Sequence, residues 1–212
     1  MTRNSRNSGT PHPRFPGFDV LAQSDRWDPV TAGVVLARIG MAPDIRFFTP
    51  AEEAIATALV DHLLGQQADP IVPVVPQIDA RLAEAQTDGW HYDDMPADAK
   101  AWRDTLADLD TDAQALHGEG FATCSYTQQT DLIQAVQDLG SDDWHGRSAA
   151  HAWSLWTRYA CTAFYSHPAA WDEIGFAGPA YPRGYKNLGI DSLEGHEVRD
   201  RSPAADPLRR SH

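Results

Sequence analysis

The sequence contains only two cysteines, Cys124 and Cys161, and neither lies in a C-x-x-C pattern. Two cysteines are too few for a disulfide framework, and covalent haem attachment or a thiolate zinc site normally needs closely spaced pairs. The sequence therefore gives no support to any of these three classes. We expect both residues to be buried free thiols.

Long hydrophobic runs are also missing. No stretch approaches the roughly 18 consecutive apolar residues of a membrane-spanning helix. The arginines near the N-terminus are not followed by an apolar segment, so no secretory signal is indicated. The one Arg-Arg pair, Arg209-Arg210, lies at the opposite end from a twin-arginine export signal. We expect a cytoplasmic chain without a membrane span.

Positive charge is scarce outside the two ends of the chain. The formal net charge is -13, yet residues 1–26 and 199–212 each carry four Arg against two Asp. The body between them is therefore more acidic than the whole chain. Because an acidic body repels phosphate groups, nucleic acids and anionic membrane surfaces are not expected partners.

Alternating β-branched patterns of useful length are absent, and apolar residues recur at helical spacing instead. We predict helices over Val30 to Ile39, from Pro50 to about 63, around 78–85, 96–117, 126–139 and about 147–166, with a short turn holding Trp171. The patterns Thr49-x-x-Glu52 and Ser125-x-x-Gln128 predict capping boxes, and Gly118 and Gly140 predict helix ends. The expected buried residues are Leu59, Leu63, Trp102, Leu106, Leu109, Leu132, Val136, Trp156 and Ala160.

These patterns predict an all-α fold, a small helical bundle. Residues 1–46 are expected to form an N-terminal arm, disordered or strap-like, with one short helix. Residues 47–200 form the helical domain, which ends in an extended Pro/Gly-rich segment, and residues 201–212 form a disordered tail.

Motifs for cofactor binding or hydrolysis are missing as well. The sequence has no G-x-G-x-x-G, P-loop, G-x-S-x-G or H-E-x-x-H pattern. Gly175, Gly178 and Gly184 lie among prolines, where chain reversal explains them better than phosphate binding. We therefore expect no cofactor, metal or catalytic residue in this chain.

Several histidines and aspartates are candidate site residues by their chemistry. His145 and His151 are six positions apart, about 240° around a helix, so one helix face cannot present both to a metal. Asp142 and Asp143 are interpreted as part of a helix cap, and His62 as a hydrogen-bonded core or contact residue. The acidic residues of the fourth helix are interpreted as solvated surface: Asp104, Asp108, Asp110 and Asp112.

Aromatic residues are abundant, with seven Trp in 212 residues. Trp, Tyr and Arg dominate protein interfaces, and a proline-stiffened segment loses little entropy on binding. We predict that the segment 168–187 contacts a partner protein, through Trp171, Tyr181, Pro182, Arg183, Tyr185 and Asn187. The alternatives are that these rings only cap the helical core, or that the His/Asp/Trp-rich C-terminal half makes the chain an independent enzyme or a metal-binding helical protein.

Over roughly residues 47–200 the sequence resembles the gluconate 2-dehydrogenase subunit 3 family. The resemblance begins at Phe47-Phe48-Thr49-Pro50-Ala51-Glu52 and is most specific in three C-terminal pieces: Tyr165-Ser166-His167-Pro168, Trp171-Asp172-Glu173-Ile174-Gly175-Phe176 and the segment from Gly178 to Asn187. It implies a non-catalytic small subunit that accompanies a large FAD-binding dehydrogenase of the glucose-methanol-choline class. A cytochrome c subunit can receive electrons in such complexes. This sequence departs from the family pattern in lacking a twin-arginine signal, which argues against a role in export.

Overall fold

The structure is a computed structural model that describes residues 15, 17–66, 70–179, 184, 192–195 and 197. The chain divides into two compact units, a larger one of residues 41–166 and a smaller one of residues 1–40 with 167–212. Within the described residues both units are helical, and one two-stranded hairpin is the sole sheet. The prediction of an all-α fold is confirmed.

Seven α-helices follow one another along the described chain. They are α1 (Pro29–Ala37), α2 (Pro50–Leu64), α3 (Val74–Ala83), α4 (Asp98–His117), α5 (Tyr126–Asp138), α6 (Ala149–Tyr165) and α7 (Pro168–Ile174). A 3-10 helix, Val20–Arg26, precedes α1, and a shorter one, Phe121–Thr123, precedes α5. The larger unit holds α2 to α6, and the smaller unit holds the first 3-10 helix with α1 and α7.

The helix ends follow local sequence signals. The Thr49 side chain accepts the Glu52 backbone N–H, and Glu52 accepts the Thr49 backbone N–H in return. Ser125 and Gln128 form the same reciprocal pair at the start of α5. Gly118 ends α4 in the left-handed conformation with φ at 75°. Both predicted capping boxes are therefore confirmed, and so is the stop after α4.

The core of the larger unit forms where α4 packs against α2 and α6. Trp102 and Trp156 are fully buried, and the indole N–H of Trp156 donates to Thr105 Oγ1 at 3.0 Å. Thr105 in turn donates its hydroxyl to the Ala101 carbonyl at 2.8 Å, so this buried polar group is satisfied. Of the residues expected in the core, only Leu63 is not fully buried. Helical spacing therefore identified the apolar faces correctly.

A buried carboxylate fixes the entry to α2. Asp79 on α3 is fully buried and accepts the backbone N–H groups of Arg46, Phe47 and Phe48 at 2.7, 2.9 and 2.8 Å. These donors lie just before the capping box at Thr49. Three backbone donors thus share one buried acceptor group, and Asp79 holds this loop against α3.

The acidic face of α4 is not the solvated surface that the sequence suggested. Strands β1 (Asp143–Trp144) and β2 (Arg147–Ser148) form an antiparallel hairpin, and Asp108 pairs with Arg147 at 2.5 Å. Asp112 accepts the indole N–H of Trp144 at 2.8 Å, and Asp110 accepts the backbone N–H of Phe121 at 2.8 Å. The interpretation as solvated surface was wrong for these three residues, because each binds a later segment of the chain that the local pattern of α4 does not reveal.

Three further local predictions were wrong. Asp142 and Asp143 do not cap a helix, because the hairpin intervenes and α6 begins only at Ala149. Ala85 lies beyond the end of α3 with φ at 52°. Cys161 is exposed on α6, although Cys124 is buried as expected.

Candidate functional site

Helix α1 exposes apolar side chains over most of its surface. Its nine residues carry no charge, and Val35 is its single buried residue. Val30 is 75% exposed and Val34 is 52% exposed, and Leu36 is also exposed. Helices that are hydrophobic all round are normally buried, so α1 has the character of an interior helix placed at the surface.

The small core beneath α1 is aromatic. Val35 packs with Val20, Trp27 and Trp171, all of them buried. Gly178 closes this core with φ at 77°, and a Cβ atom there would lie 2.6 Å from Trp27 Cζ2. Gly178 is therefore required both by its backbone conformation and by the close approach of the indole ring.

The first turn of α7 depends on a buried histidine. His167 is 7% exposed, and its Nδ1 accepts the backbone N–H of Ala169 at 3.2 Å. Burial lowers the pKa of His167, a hydrogen bond with the Arg38 backbone partly opposes this shift, and the positive charge of Arg38 lowers the pKa further. Asp172, one turn later, accepts the backbone N–H of Val20 at 2.7 Å, and burial raises the pKa of this carboxyl group. Through this bond α7 holds the first 3-10 helix.

Of the six predicted partner-binding residues, Trp171 alone lies within the described part of the chain. Trp171 lies on α7, is 5% exposed and meets Phe176 edge to face at 5.4 Å. Its indole ring therefore belongs to the core of the smaller unit. The remaining predicted contacts lie outside the described residues, and their role stays a prediction: Tyr181, Pro182, Arg183, Tyr185 and Asn187.

The smaller unit is rich in exposed apolar groups. Seven of the fourteen exposed large hydrophobic side chains of the described residues belong to it, although it is much the smaller part of the described chain. They are Val30, Val34, Leu36, Ile39, Ile174, Phe176 and Leu193. Concentrated apolar exposure of this kind marks interaction surfaces.

The larger unit contains an open groove of about 260 Å³ between α2, α5 and α6. Leu63 and Ile133 form its apolar part, and Tyr126 and Trp153 supply aromatic rings. The ring of His62 stacks on Tyr126 with the centroids 4.3 Å apart. The sequence predicted that His62 is a hydrogen-bonded core or contact residue, and its hydrogen bond is confirmed by the contact with Gln129 at 2.9 Å. The helical pattern gave no sign of the groove.

The histidines considered for the alternative enzyme or metal function bind carboxylates. His145 Nε2 lies 2.8 Å from Asp112 Oδ1, and His151 Nδ1 lies 2.7 Å from Asp94 Oδ1. Tyr92 stacks on His151 at 3.7 Å. Among the described residues no three His, Cys, Asp or Glu side chains are grouped closely enough to hold a metal ion. His145 therefore ties the hairpin to α4, and His151 ties the segment before α4 to α6.

The described helices are all too short or too polar to cross a membrane. The profile of the gluconate 2-dehydrogenase subunit 3 family matches residues 50–178, more than half of the 212 residues, and the chain belongs to this family. No curated protein and no solved structure matches the chain. Membership indicates association with a dehydrogenase complex.

Proposed function

We propose that this chain is a non-catalytic accessory subunit that binds and supports a FAD-dependent sugar or alcohol dehydrogenase of the glucose-methanol-choline class. In this proposal the flavin resides in the large subunit, a cytochrome c subunit can accept its electrons, and the complex is cytoplasmic. Membership of a family described as a dehydrogenase subunit supports the coarse part of this function.

The observation that carries the proposal is the exposure of α1. Burying a valine or leucine side chain contributes roughly 1.5–3 kcal/mol, so an apolar helix in water forgoes this stabilisation until another surface covers it. The α1 surface is defined as Val30, Val34 and Leu36 of α1 with Ile39 just beyond its end, and α1 itself carries no charged side chain. A protein partner with a complementary apolar face would cover it.

The C-terminal segment 168–187 belongs to the same unit as α1. We keep it as a second proposed contact, because its Tyr and Arg side chains are typical of interface anchors. Replacing Arg183 and Tyr185 together by Ala tests it. Lost dehydrogenase binding with unchanged melting supports the contact, whereas lowered melting with retained binding would assign the segment to stability alone.

The main experiment uses co-expression with a FAD-dependent dehydrogenase of the glucose-methanol-choline class from the same genome, chosen first from the neighbouring reading frames. The two proteins should elute together in size-exclusion chromatography, with flavin absorbance in the shared peak. The double variant Val30→Gln and Val34→Gln should lose the complex, since glutamine keeps helix propensity while removing apolar surface. Leu116→Gln is the matched control, because Leu116 is 70% exposed on α4 of the larger unit.

Each outcome has a defined meaning. Loss of the complex in the α1 variant alone supports the proposal, provided that its melting temperature matches that of the wild type. Equal binding by both variants would remove α1 from the interface. A flavin or stoichiometric metal bound to the isolated chain would contradict the non-catalytic role itself.

A further inference from the structure

The groove between α2, α5 and α6 differs in chemistry from the α1 surface. No Asp, Glu, Lys or Arg side chain lines it, in a chain whose formal net charge is -13. Aromatic and aliphatic side chains share its wall with amide and hydroxyl groups. Such a lining suits an uncharged ligand that is partly apolar and partly polar.

The hydrogen bonds around His62 determine which of its ring nitrogens can accept a hydrogen bond from a ligand. Gln129 donates its amide N–H to the Phe121 carbonyl at 2.9 Å, so its Oε1 is the atom 2.9 Å from His62 Nε2. His62 Nε2 therefore carries the proton, and Nδ1 of the neutral ring is an acceptor. Thr130, 3.4 Å from Nδ1, makes its shorter bond of 2.9 Å to the Tyr126 carbonyl. Nδ1 thus remains available to a stronger donor.

The two glutamines of the groove are oriented in the same manner. Gln134 donates its amide nitrogen to Asp138 at 2.7 Å and to Gln137 Oε1 at 3.1 Å. An ionised carboxylate only accepts, so this contact sets the orientation of the Gln134 amide. Within the described residues, Gln134 Oε1 and Gln137 Nε2 are left as one acceptor and one donor.

Part of the aromatic wall is ordered by ring stacking within the chain itself. His62 stacks on the Tyr126 ring, which is nevertheless 59% exposed. The indole N–H of half-buried Trp153 forms no hydrogen bond to the described part of the chain. The groove therefore combines the stacked His62–Tyr126 pair with donors and acceptors that have no partner within the described residues, and the stacking reduces the ordering needed on binding.

From these groups we infer that the groove binds a neutral polyhydroxylated ring, either a pyranose sugar or a cyclic polyol. Each hydroxyl can both donate and accept, matching Trp153 N–H and Gln137 Nε2 as donors and His62 Nδ1 as an acceptor. The C–H groups of such a ring can pack on the electron-rich aromatic faces. An apolar ligand in the same place would leave these polar groups unpaired. An anionic ligand is also disfavoured, because no cationic side chain in the lining compensates the charge of a carboxylate or phosphate. A volume of about 260 Å³ admits one ring but not a dinucleotide.

The test is a titration of the ¹⁵N-labelled full-length chain, followed through the indole N–H signals in NMR spectra. Trp153→Phe identifies the Trp153 signal by its disappearance. Glucose and myo-inositol represent the two neutral ring classes, sodium gluconate is the anionic probe and cyclohexanol is the apolar ring. We expect a saturable shift of the Trp153 signal with glucose, with inositol or with both, at millimolar Kd, and no saturation with gluconate or cyclohexanol.

A matched pair of variants checks the geometry. Gln137→Ala should weaken binding roughly 5- to 10-fold, as expected for the loss of one hydrogen bond. Gln114→Ala makes the same change on an exposed position of α4 and should leave binding unaltered. The inference is overturned if neither neutral ring saturates the signal, if gluconate or cyclohexanol binds equally well, or if Gln137→Ala retains full affinity. These results are independent of whether the chain binds a dehydrogenase, so the two proposals can fail separately.

Discussion

The buried hydrogen bond between Trp156 and Thr105 provides a sharp test of the core. In Thr105→Val the side-chain volume is nearly unchanged, but the indole N–H loses the acceptor that lies 3.0 Å away. Both residues are fully buried, so water cannot replace this acceptor without opening the core. Leaving a buried donor unpaired costs about 1–3 kcal/mol, and we expect Thr105→Val to lower the free energy of unfolding by that amount.

A double-mutant cycle separates the hydrogen bond from the change in shape. Trp156→Phe removes the donor and also leaves space in the core, so its own cost includes a cavity. In that background, Thr105→Val no longer strands a donor and should cost much less. The coupling energy should therefore exceed the roughly 0.3–0.5 kcal/mol within which independent sites add.

Urea unfolding followed by far-UV circular dichroism measures all four proteins of the cycle without relying on tryptophan fluorescence. In thermal scans of a chain of this size, each kcal/mol corresponds to about 2–4 °C. If Thr105→Val costs the same with Trp156 and with Phe at that position, the bond makes no specific contribution and the reasoning fails.

Three further predictions concern single sites. Leu106→Ala should lower the free energy of unfolding by about 2–5 kcal/mol in urea titrations, because Leu106 is fully buried; a smaller loss would indicate a core that collapses around the gap. Gly178→Ala should lower the melting temperature, since a Cβ atom meets Trp27 and φ is positive; an unchanged value would show that the ring moves aside at no cost. The pKa of His167 is lower in the folded chain than in the unfolded chain, where it is about 6.5. The contribution of the neutral imidazole to stability is therefore present above about pH 6.5, and it is lost as the pH falls through the lower pKa of the folded state. His167→Asn, which can still cap α7, should weaken this pH dependence in calorimetry, whereas His91→Asn at an exposed site should not.

Local signals determined what the sequence could predict. The capping boxes at Thr49 and Ser125 involve residues three positions apart, so their geometry follows from the helix itself. The pairing of Asp108 with Arg147 joins residues 39 positions apart, and a local pattern of acidic residues cannot distinguish it from a solvated face. Helix periodicity thus placed the elements but not the polar contacts between them.

The candidate surfaces show the same limit. The sequence predicted a helix from Val30 to Ile39, and α1 is present at Pro29–Ala37, but its exposure could not be anticipated because uniformly apolar helices are usually interior. For the groove, the position of His62 on an apolar helix face predicted a hydrogen-bonded core or contact residue. Gln137 stood out in no pattern, since its availability depends on how Asp138 orients Gln134.

Helix α1 contacts its core through the buried Val35 and the partly buried Ala32, and it precedes the residues matched to the family. Substitutions at the exposed positions of α1 should therefore have little effect on folding, because surface substitutions usually change the free energy of unfolding by less than about 0.5 kcal/mol. The α1 surface can then diverge between related chains while the matched helices remain constrained by their packing. Such a division would let one helical scaffold acquire new partner specificities by mutation of a single short segment.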